Sequence, residues 1–272
     1  MAMGAQADRG TVLDRILQAR RLEVDHRKRV LPEAALRYGV NAATPLRDFR
    51  AALTRDSLNI IAELKPASPS KGILRDPFHP VELARTLEDA GAAVLSVLTE
   101  GEFFRGSLKN LRDARNAVEI PVFRKDFIFD PWQVWETRAN DADSFLLIVA
   151  ALHDELLRDL IALGRELKME PLVEVHTASE LERAFAADAR IIGVNNRDLK
   201  TLNLRVETSF ELIERIPDTC MAVSESGLRT HDDLTKLREA GFDAFLIGES
   251  LMLSPDPGAA LGTFLGRSAL PV

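Results

Sequence analysis

The chain has 272 residues, 46% apolar and 28% charged, a balance that excludes a disordered, collagen-like or coiled-coil chain. Its 35 basic and 42 acidic side chains leave a formal charge of −7, which disfavours nonspecific binding to nucleic acid or an anionic membrane but not a local pocket for a small anion. A single cysteine, Cys220, excludes an internal disulfide framework. The opening MAMGAQADRG lacks the apolar core of a signal peptide, and the longest apolar run, Phe145 to Leu152, is far short of the roughly 20 residues of a membrane span, so a cytoplasmic protein is expected.

In chain order, Thr11–Arg29 predicts a helix with Leu13, Ile16, Leu17 and Val24 on one side, and Thr44-Pro45 opens a second helix through Leu53. Eight short β-rich runs follow: Asn59–Leu64, Ala93–Leu98, Val122–Lys125, Phe145–Val149, Leu172–Val175, Ile191–Val194, Met221–Ser224 and Ala244–Ile247. Helical periodicity fills the intervals, clearest in Val81–Ala90, Leu156–Leu167, Ser179–Ala187 and Asp232–Ala240. Asp130, Thr177 and Asp232 suit N-caps, Pro131 a first helical position, and Gly91 and Gly241 helix ends. The runs are continuously apolar, as a parallel sheet covered on both faces requires. Eight βα units at steady spacing predict an α/β fold, a (β/α)8 TIM barrel with an N-terminal helical extension. The competing layout is an open doubly wound sheet, whose GxGxxG fingerprint is absent. The expected division is residues 1–58 as an extension packed on the barrel and 59–272 as the barrel, one domain overall. The extension is either a cap closing one barrel end or a lid over the site.

In such a barrel the chemistry sits at the C-terminal strand ends. There the sequence places Glu63 and Lys65; Thr99, Glu100 and Phe104; Lys125 and Asp126; Glu174; Asn195, Asn196 and Arg197; Ser224, Glu225, Ser226 and Gly227; and Gly248, Glu249 and Ser250. Lysines and carboxylates converging on one mouth are hard to explain as structure alone, because unpaired buried charge is costly. Small-residue turns after the first strand (Ser68–Gly72) and after the seventh and eighth (Ser224–Gly227, Ile247–Ser250) suit a phosphate held by backbone N–H groups. SPSKG lacks Walker spacing, and His26, His79, His153, His176 and His231 show no HExxH pattern.

IIAELKPASPSKG (Ile60–Gly72), LSVLTEGEFFRGS (Leu95–Ser107), PVFRKDFIFDPWQVWETRA (Pro121–Ala139), PLVEVHTASELERA (Pro171–Ala184), IIGVNNRDLKTL (Ile191–Leu202), SESGL (Ser224–Leu228) and FLIGESLM (Phe245–Met252) together resemble indole-3-glycerol phosphate synthase. The motifs keep the family's order and spacing over about residues 10 to 255. One departure is Pro66, where the family usually has a basic residue.

The resemblance implies ring closure of 1-(2-carboxyphenylamino)-1-deoxyribulose 5-phosphate to indole-3-glycerol phosphate, carbon dioxide and water in tryptophan biosynthesis. It implies no metal and no organic cofactor. Lys125 matches the general acid, its pKa expected to fall through desolvation and a nearby cation. Lys65 matches the cation for the substrate carboxylate, Glu174 the general base, Glu63 the second carboxylate and Asn195 a hydrogen-bonding group near the substrate hydroxyls. Ser68 and the backbone around Ser226, Gly227, Gly248 and Glu249 match the phosphate site, with the Glu249 side chain expected to point away. Phe104 matches an aromatic on the anthranilate ring; Arg197 is a carboxylate or supporting contact and Glu225 a hydroxyl contact. Trp132 and Trp135 suit outer-helix packing. Structural alternatives are a Lys125–Asp126 pair and a Glu63 that only orients Lys125. The expected partner is a phosphorylated small molecule, with no nucleic acid and no membrane; a monomer is an open option. The rival readings are another sugar-phosphate barrel enzyme, such as a phosphoribosylanthranilate isomerase, and a noncatalytic barrel that binds a phosphorylated metabolite or a partner protein.

Overall fold

The structure, a computed structural model, describes residues 10–54, 56–199 and 201–267. The opening MAMGAQADR and the last five residues, part of the expected extension and of the expected barrel, lie outside them.

Eight parallel strands close into a barrel: β1 (Asn59–Leu64), β2 (Val94–Leu98), β3 (Val122–Lys125), β4 (Ser144–Ile148), β5 (Leu172–Val175), β6 (Ile191–Asn195), β7 (Met221–Glu225) and β8 (Ala244–Ile247), with β8 pairing back onto β1. The expected barrel is present, and each strand lies within a residue of its expected bounds. Both faces of every strand are buried, which explains the unbroken apolar runs. The period-2 pleat divides them. Ile61, Val94, Phe123, Leu146, Leu172 and Ile191 point into the barrel, whereas Ile60, Leu95, Val122, Leu147, Val173 and Ile192 pack outward under the helices.

Before the barrel run α1 (Val12–Val30), α2 (Glu33–Val40) and the short α3 (Phe49–Ala52). Thr11 and Asp14 form a capping box on α1, and Arg27, Lys28 and Arg29 in its last turn complement the helix dipole. The outer helices are α4 (Pro80–Asp89), α5 (Leu108–Ala117), α6 (Pro131–Ala139), α7 (Asp154–Glu166), α8 (Ala178–Ala186), α9 (Glu207–Ile213), α10 (His231–Glu239), α11 (Glu249–Leu253) and α12 (Pro257–Phe264). Asp130 and Thr177 cap α6 and α8 as expected, and Gly91 and Gly241 follow their helices with φ of +99° and +116°.

Two local expectations fail. Thr230, not Asp232, caps α10, because Asp233 can reach back from the third helical position to complete its capping box. The helix expected from Thr44-Pro45 through Leu53 shrinks to Phe49–Ala52 under an Asp48 cap. Residues ahead of it are held extended by long-range bonds: the Thr44 amide donates to Asp141 at 2.7 Å and the Arg47 amide to Asp143 at 2.8 Å. The second helix is instead Glu33–Val40, whose Leu36 packs with Val24, Trp132 and Trp135. The two tryptophans thus sit in outer-helix packing.

The segment before β1 touches both ends of the barrel. Val12, Leu13 and Ile16 of α1 line a small cavity of ≈ 90 Å³ with Lys65, Ser68 and Phe104 at the mouth. Phe49, Ala52 and Leu53 join the interior cluster, and Phe49 stacks on Phe123 with centroids 5.6 Å apart. The Asn59 amide, at the start of β1, donates to the Leu53 carbonyl, so α3 forms the floor.

Candidate active site

The inward register that carries Ile61, Phe123, Leu172, Ile191 and Val223 continues to the strand ends. By the same period it turns Glu63, Lys65, Lys125, Glu174, Asn195 and Glu225 into the mouth. Most of this set surrounds a cavity of ≈ 320 Å³ lined by Glu63, Lys65, Lys125, Glu174 and Asn195, with Glu225 behind Lys125. The opposite flank is apolar, from Leu98, Phe104, Phe127, Leu146, Ile148 and Leu199. Phe104 and Phe127 rings lie 6.0 Å apart at the edge of this flank. A pocket with one apolar wall and convergent charges suits a flat aromatic anion.

Lys125 Nζ lies 2.6 Å from Glu225 Oε2 and 3.3 Å from Glu174 Oε2. Burial alone would favour the neutral amine, but Glu225, Glu174 and Glu63 outweigh it and hold the ammonium above the ordinary lysine range. This corrects the expected downward shift: the neighbours that decide it are carboxylates. Burial opposes charge on Glu174 too, yet Lys125, His176 and Asn195 keep it ionised well below the usual carboxylate range. Glu225 is pushed up to about 7 by burial, which Lys125 only partly offsets and which Glu174 and Glu63 reinforce. The site therefore holds two carboxylates with opposed proton affinities on one ammonium.

Lys65 Nζ is 2.8 Å from Glu63 Oε1. Neither structural alternative occurs as a direct pair. Asp126 instead accepts from Arg20 Nε and Nη2 at 3.0 and 2.6 Å and from Arg124 at 2.8 Å. Burial would raise it, but the two guanidinia and Thr99 hold it at about 2. Glu100 accepts the amides of Glu102, Phe103 and Phe104 and so shapes its own loop. Asn196 and Ser224 face away from the cavity into a buried network with Ser209.

Two glycines make room for the charges. A Cβ at Gly193 would come 2.2 Å from Glu225 Oε1, and one at Gly248 would come 2.8 Å from Glu63 Oε1. Close approach, not turn geometry, requires glycine at both.

Around the rim, SPSKG forms a hairpin, Ala67–Ser68 against Gly72–Ile73, and Ser68 Oγ accepts the Lys71 amide at 3.2 Å. Ser226 and Gly227 take left-handed φ values of +68° and +80° directly after Glu225, turning that loop back over the mouth beside Gly248 and Glu249. The Glu249 side chain does not point away. It faces Arg197 at 3.5 Å and Lys71 at 4.0 Å, because those cations would otherwise stand unpaired at the rim. Pro66 is buried and its carbonyl accepts the amides of Leu74 and Arg75, a role that uses no side-chain charge.

His176 and Glu180 were missed in the sequence. His176 has the same inward parity as Glu174, and its Nε2 lies 3.3 Å from Glu174 Oε1 while Nδ1 lies 3.1 Å from Glu180 Oε2. The pattern VHTASE, with Glu three residues after the Thr177 cap, is the local signal that could have found them. Among the described residues no group of three or more His, Cys, Asp or Glu could hold a metal ion, and no helix is long and apolar enough to cross a membrane.

A family model described as indole-3-glycerol phosphate synthase matches residues 13–264. An indole-3-glycerol phosphate synthase of Laribacter hongkongensis is 46% identical over 255 residues, 92% of this chain and 97% of that protein. One of a Roseiflexus species is 47% identical, covering 90% and 95%. Among solved structures, a 3-hexulose-6-phosphate synthase superposes with a TM-score of 0.63 at 12% identity, covering 78% of this chain and all (100%) of that one. A thiamine phosphate pyrophosphorylase of Pyrococcus furiosus gives 0.58 at 16%, covering 78% and 95%. At such identities these two show the barrel alone.

Proposed function

The chain belongs to the indole-3-glycerol phosphate synthase family, carboxy-lyases of tryptophan biosynthesis acting on a phosphorylated small molecule, and from that premise we propose how its own residues divide the reaction. Lys125 is the general acid. It protonates the ribulose carbonyl oxygen as the aromatic carbon that bears the carboxylate attacks the carbonyl carbon. Loss of carbon dioxide returns the electron pair of the broken bond to the ring. The new hydroxyl then leaves as water with a proton from Lys65, and Glu174 accepts the proton that leaves the carbon framework as the pyrrole becomes aromatic.

The single observation that supports this reading is the placement of Lys125 between Glu174 and Glu225, across the mouth from the Lys65–Glu63 pair. An ammonium already charged at neutral pH supplies its proton without first acquiring one. Lys65 holds the substrate carboxylate before decarboxylation, and Glu63 holds Lys65. Asn195 orients Glu174 and the substrate hydroxyls; Phe104 packs on the anthranilate ring. The phosphate lies against Ser68 and the backbone around Ser226, Gly227, Gly248 and Glu249, near Arg197. The protein works in the cytoplasm without nucleic acid, metal or organic cofactor. The described residues before β1 form an extension of the barrel within one domain.

Turnover in the presence of a chelator, read by indole absorbance, tests the activity. Binding of the substrate analogue with and without its carboxylate tests the roles of the two lysines. Removing the carboxylate is expected to weaken binding to wild type roughly 10- to 150-fold, the range of a charge-assisted contact of about 1.5–3 kcal/mol. The loss is expected to shrink in Lys65→Ala and persist in Lys125→Ala. Equal coupling to both lysines, or stronger coupling to Lys125, reverses the assignment.

A further inference from the structure

The first turn of α8 builds a holder for one histidine. Thr177 caps the helix by accepting the Glu180 amide at 3.2 Å. This brings the Glu180 carboxylate back over the chain, where Oε2 accepts the His176 backbone amide at 2.7 Å and meets His176 Nδ1 at 3.1 Å. The ring is largely buried, and its other nitrogen reaches Glu174 Oε1 at 3.3 Å, a close ion-pair contact off the line of an ideal hydrogen bond. Glu174 is therefore gripped from two sides, by His176 on one oxygen and by Lys125 on the other. Among the described residues Glu225 shares Lys125 but has no such second cation, and its Oε1 is buried without a hydrogen-bond partner.

Two carboxylates on one ammonium are degenerate unless something distinguishes them. We propose that His176 is a positioning residue: carried by Glu180, its imidazolium fixes the orientation of Glu174 and makes that carboxylate, rather than Glu225, the ionised base of the pair that shares Lys125. The inference rests on the reading of Glu174 as the base. The charged and titratable groups that bear on it are Glu174 itself on β5, Glu180 on α8, Lys125 on β3, Glu225 on β7 and Glu63 on β1. Burial would discharge the imidazole, but Glu174 and Glu180 together raise it to about 10, so it stays cationic across the working range.

The sign follows from charge. Removing a cation beside Glu174 makes its ionisation harder, so the base is lost first as pH falls. His176→Leu is expected to lower kcat about tenfold at about pH 8 with KM changed less than about twofold, the deficit widening as pH falls to about 5.5. His176→Gln returns a neutral donor; it recovers part of kcat at the higher pH and keeps the widening. Glu180→Gln, which leaves the mouth untouched, gives the same pH trend more weakly and stands in if His176→Leu does not fold. A deficit constant across pH, accompanied only by a lower Tm, overturns the proposal and makes His176 structural. A change confined to KM also overturns it. Glu174→Gln run alongside separates the two readings. Full turnover in that variant removes Glu174 as the base, whereas an inactive Glu174→Gln with His176 variants that follow the wild-type pH profile removes only this inference.

Discussion

At the N-terminal ends of the strands, Asp143 accepts the amides of Val122 and Arg47 at 2.7 and 2.8 Å and pairs with Arg115. Asp243 accepts the Ala222 amide at 2.8 Å in the same manner. At the C-terminal ends, Lys65 Nζ lies 2.8 Å from Glu63 Oε1 and Lys125 Nζ 2.6 Å from Glu225 Oε2, among the described residues Glu225 Oε1 is buried without a hydrogen-bond partner, and each carboxylate sits where glycine alone leaves room. The floor holds its carboxylates with backbone donors; the mouth holds its own with ammonium groups around a cavity. Buried charge is costly, and at the mouth it borders a cavity where a substrate can supply further contacts. The floor carries packing, through Phe49, Ala52 and Leu53. Activity and stability are thus separated along one axis of the molecule.

That separation can be broken most sharply from the mouth. Lys125→Met is expected to lower kcat at least about 10²-fold, the lower range for loss of a general acid, while the protein keeps a cooperative thermal transition. Near-normal turnover would return Lys125 to a structural role. Phe49→Ala attacks the other end. It is expected to cost about 3–5 kcal/mol in denaturant unfolding, as for large aromatic truncations in cores, with kcat per folded molecule unchanged at a temperature where the variant remains folded. A fall in kcat with no fall in stability would show that the floor is wired to the chemistry.

The smallest effect sharpens the comparison through pH. Glu225 has its carboxyl pushed from 4.5 up to about 7 in the fold. A raised carboxyl contributes stability that is fully present below its unfolded value and is lost as pH rises through the folded one. Wild type is therefore expected to lose stability between pH 4.5 and about 7, and Glu225→Gln to lose less over that window, read as Tm against pH. Asp126, held down at about 2 from 3.8, acts in the opposite sense and only in strong acid. Parallel Tm profiles for wild type and Glu225→Gln would contradict the raised proton affinity of Glu225.

Much of this was legible along the chain because β-strands encode direction as well as identity. Glu63, Lys125 and Glu174 share inward parity with Ile61, Phe123 and Leu172, so locating the strands locates the charges. Glu225 carries the same signal two residues beyond Val223, yet it was assigned only a hydroxyl contact, since nothing local tells that Lys125 arrives from 100 residues away. The Lys125 shift is not legible in the sequence for the same reason: its sign depends on which neighbours three other strands deliver. Short helices were hardest to read. Glu33–Val40 buries little beyond Leu36 and is formed by docking on Trp132 and Trp135, contacts with no trace in its own eight residues. Asp48 capping, and not Thr44-Pro45, sets the start of α3 because Asp141 and Asp143 have already claimed the backbone ahead of it.

The segment that touches both ends of the barrel also sets a schedule for synthesis. Arg20 finds Asp126 across 106 residues, and Asn59 reaches the Asp243 carbonyl across 184. β1 must therefore wait for β8, made later, since it is hydrogen-bonded on one side by that strand. Until then Ile16, Leu17, Phe49 and Leu53 have no barrel to cover. Closing loops of such length adds entropy cost only slowly with size, but it delays the contacts that reward closure. The nascent chain thus carries its floor and one wall of its mouth as exposed apolar surface until the final strand is in place, the interval in which such a chain is most prone to associate with others.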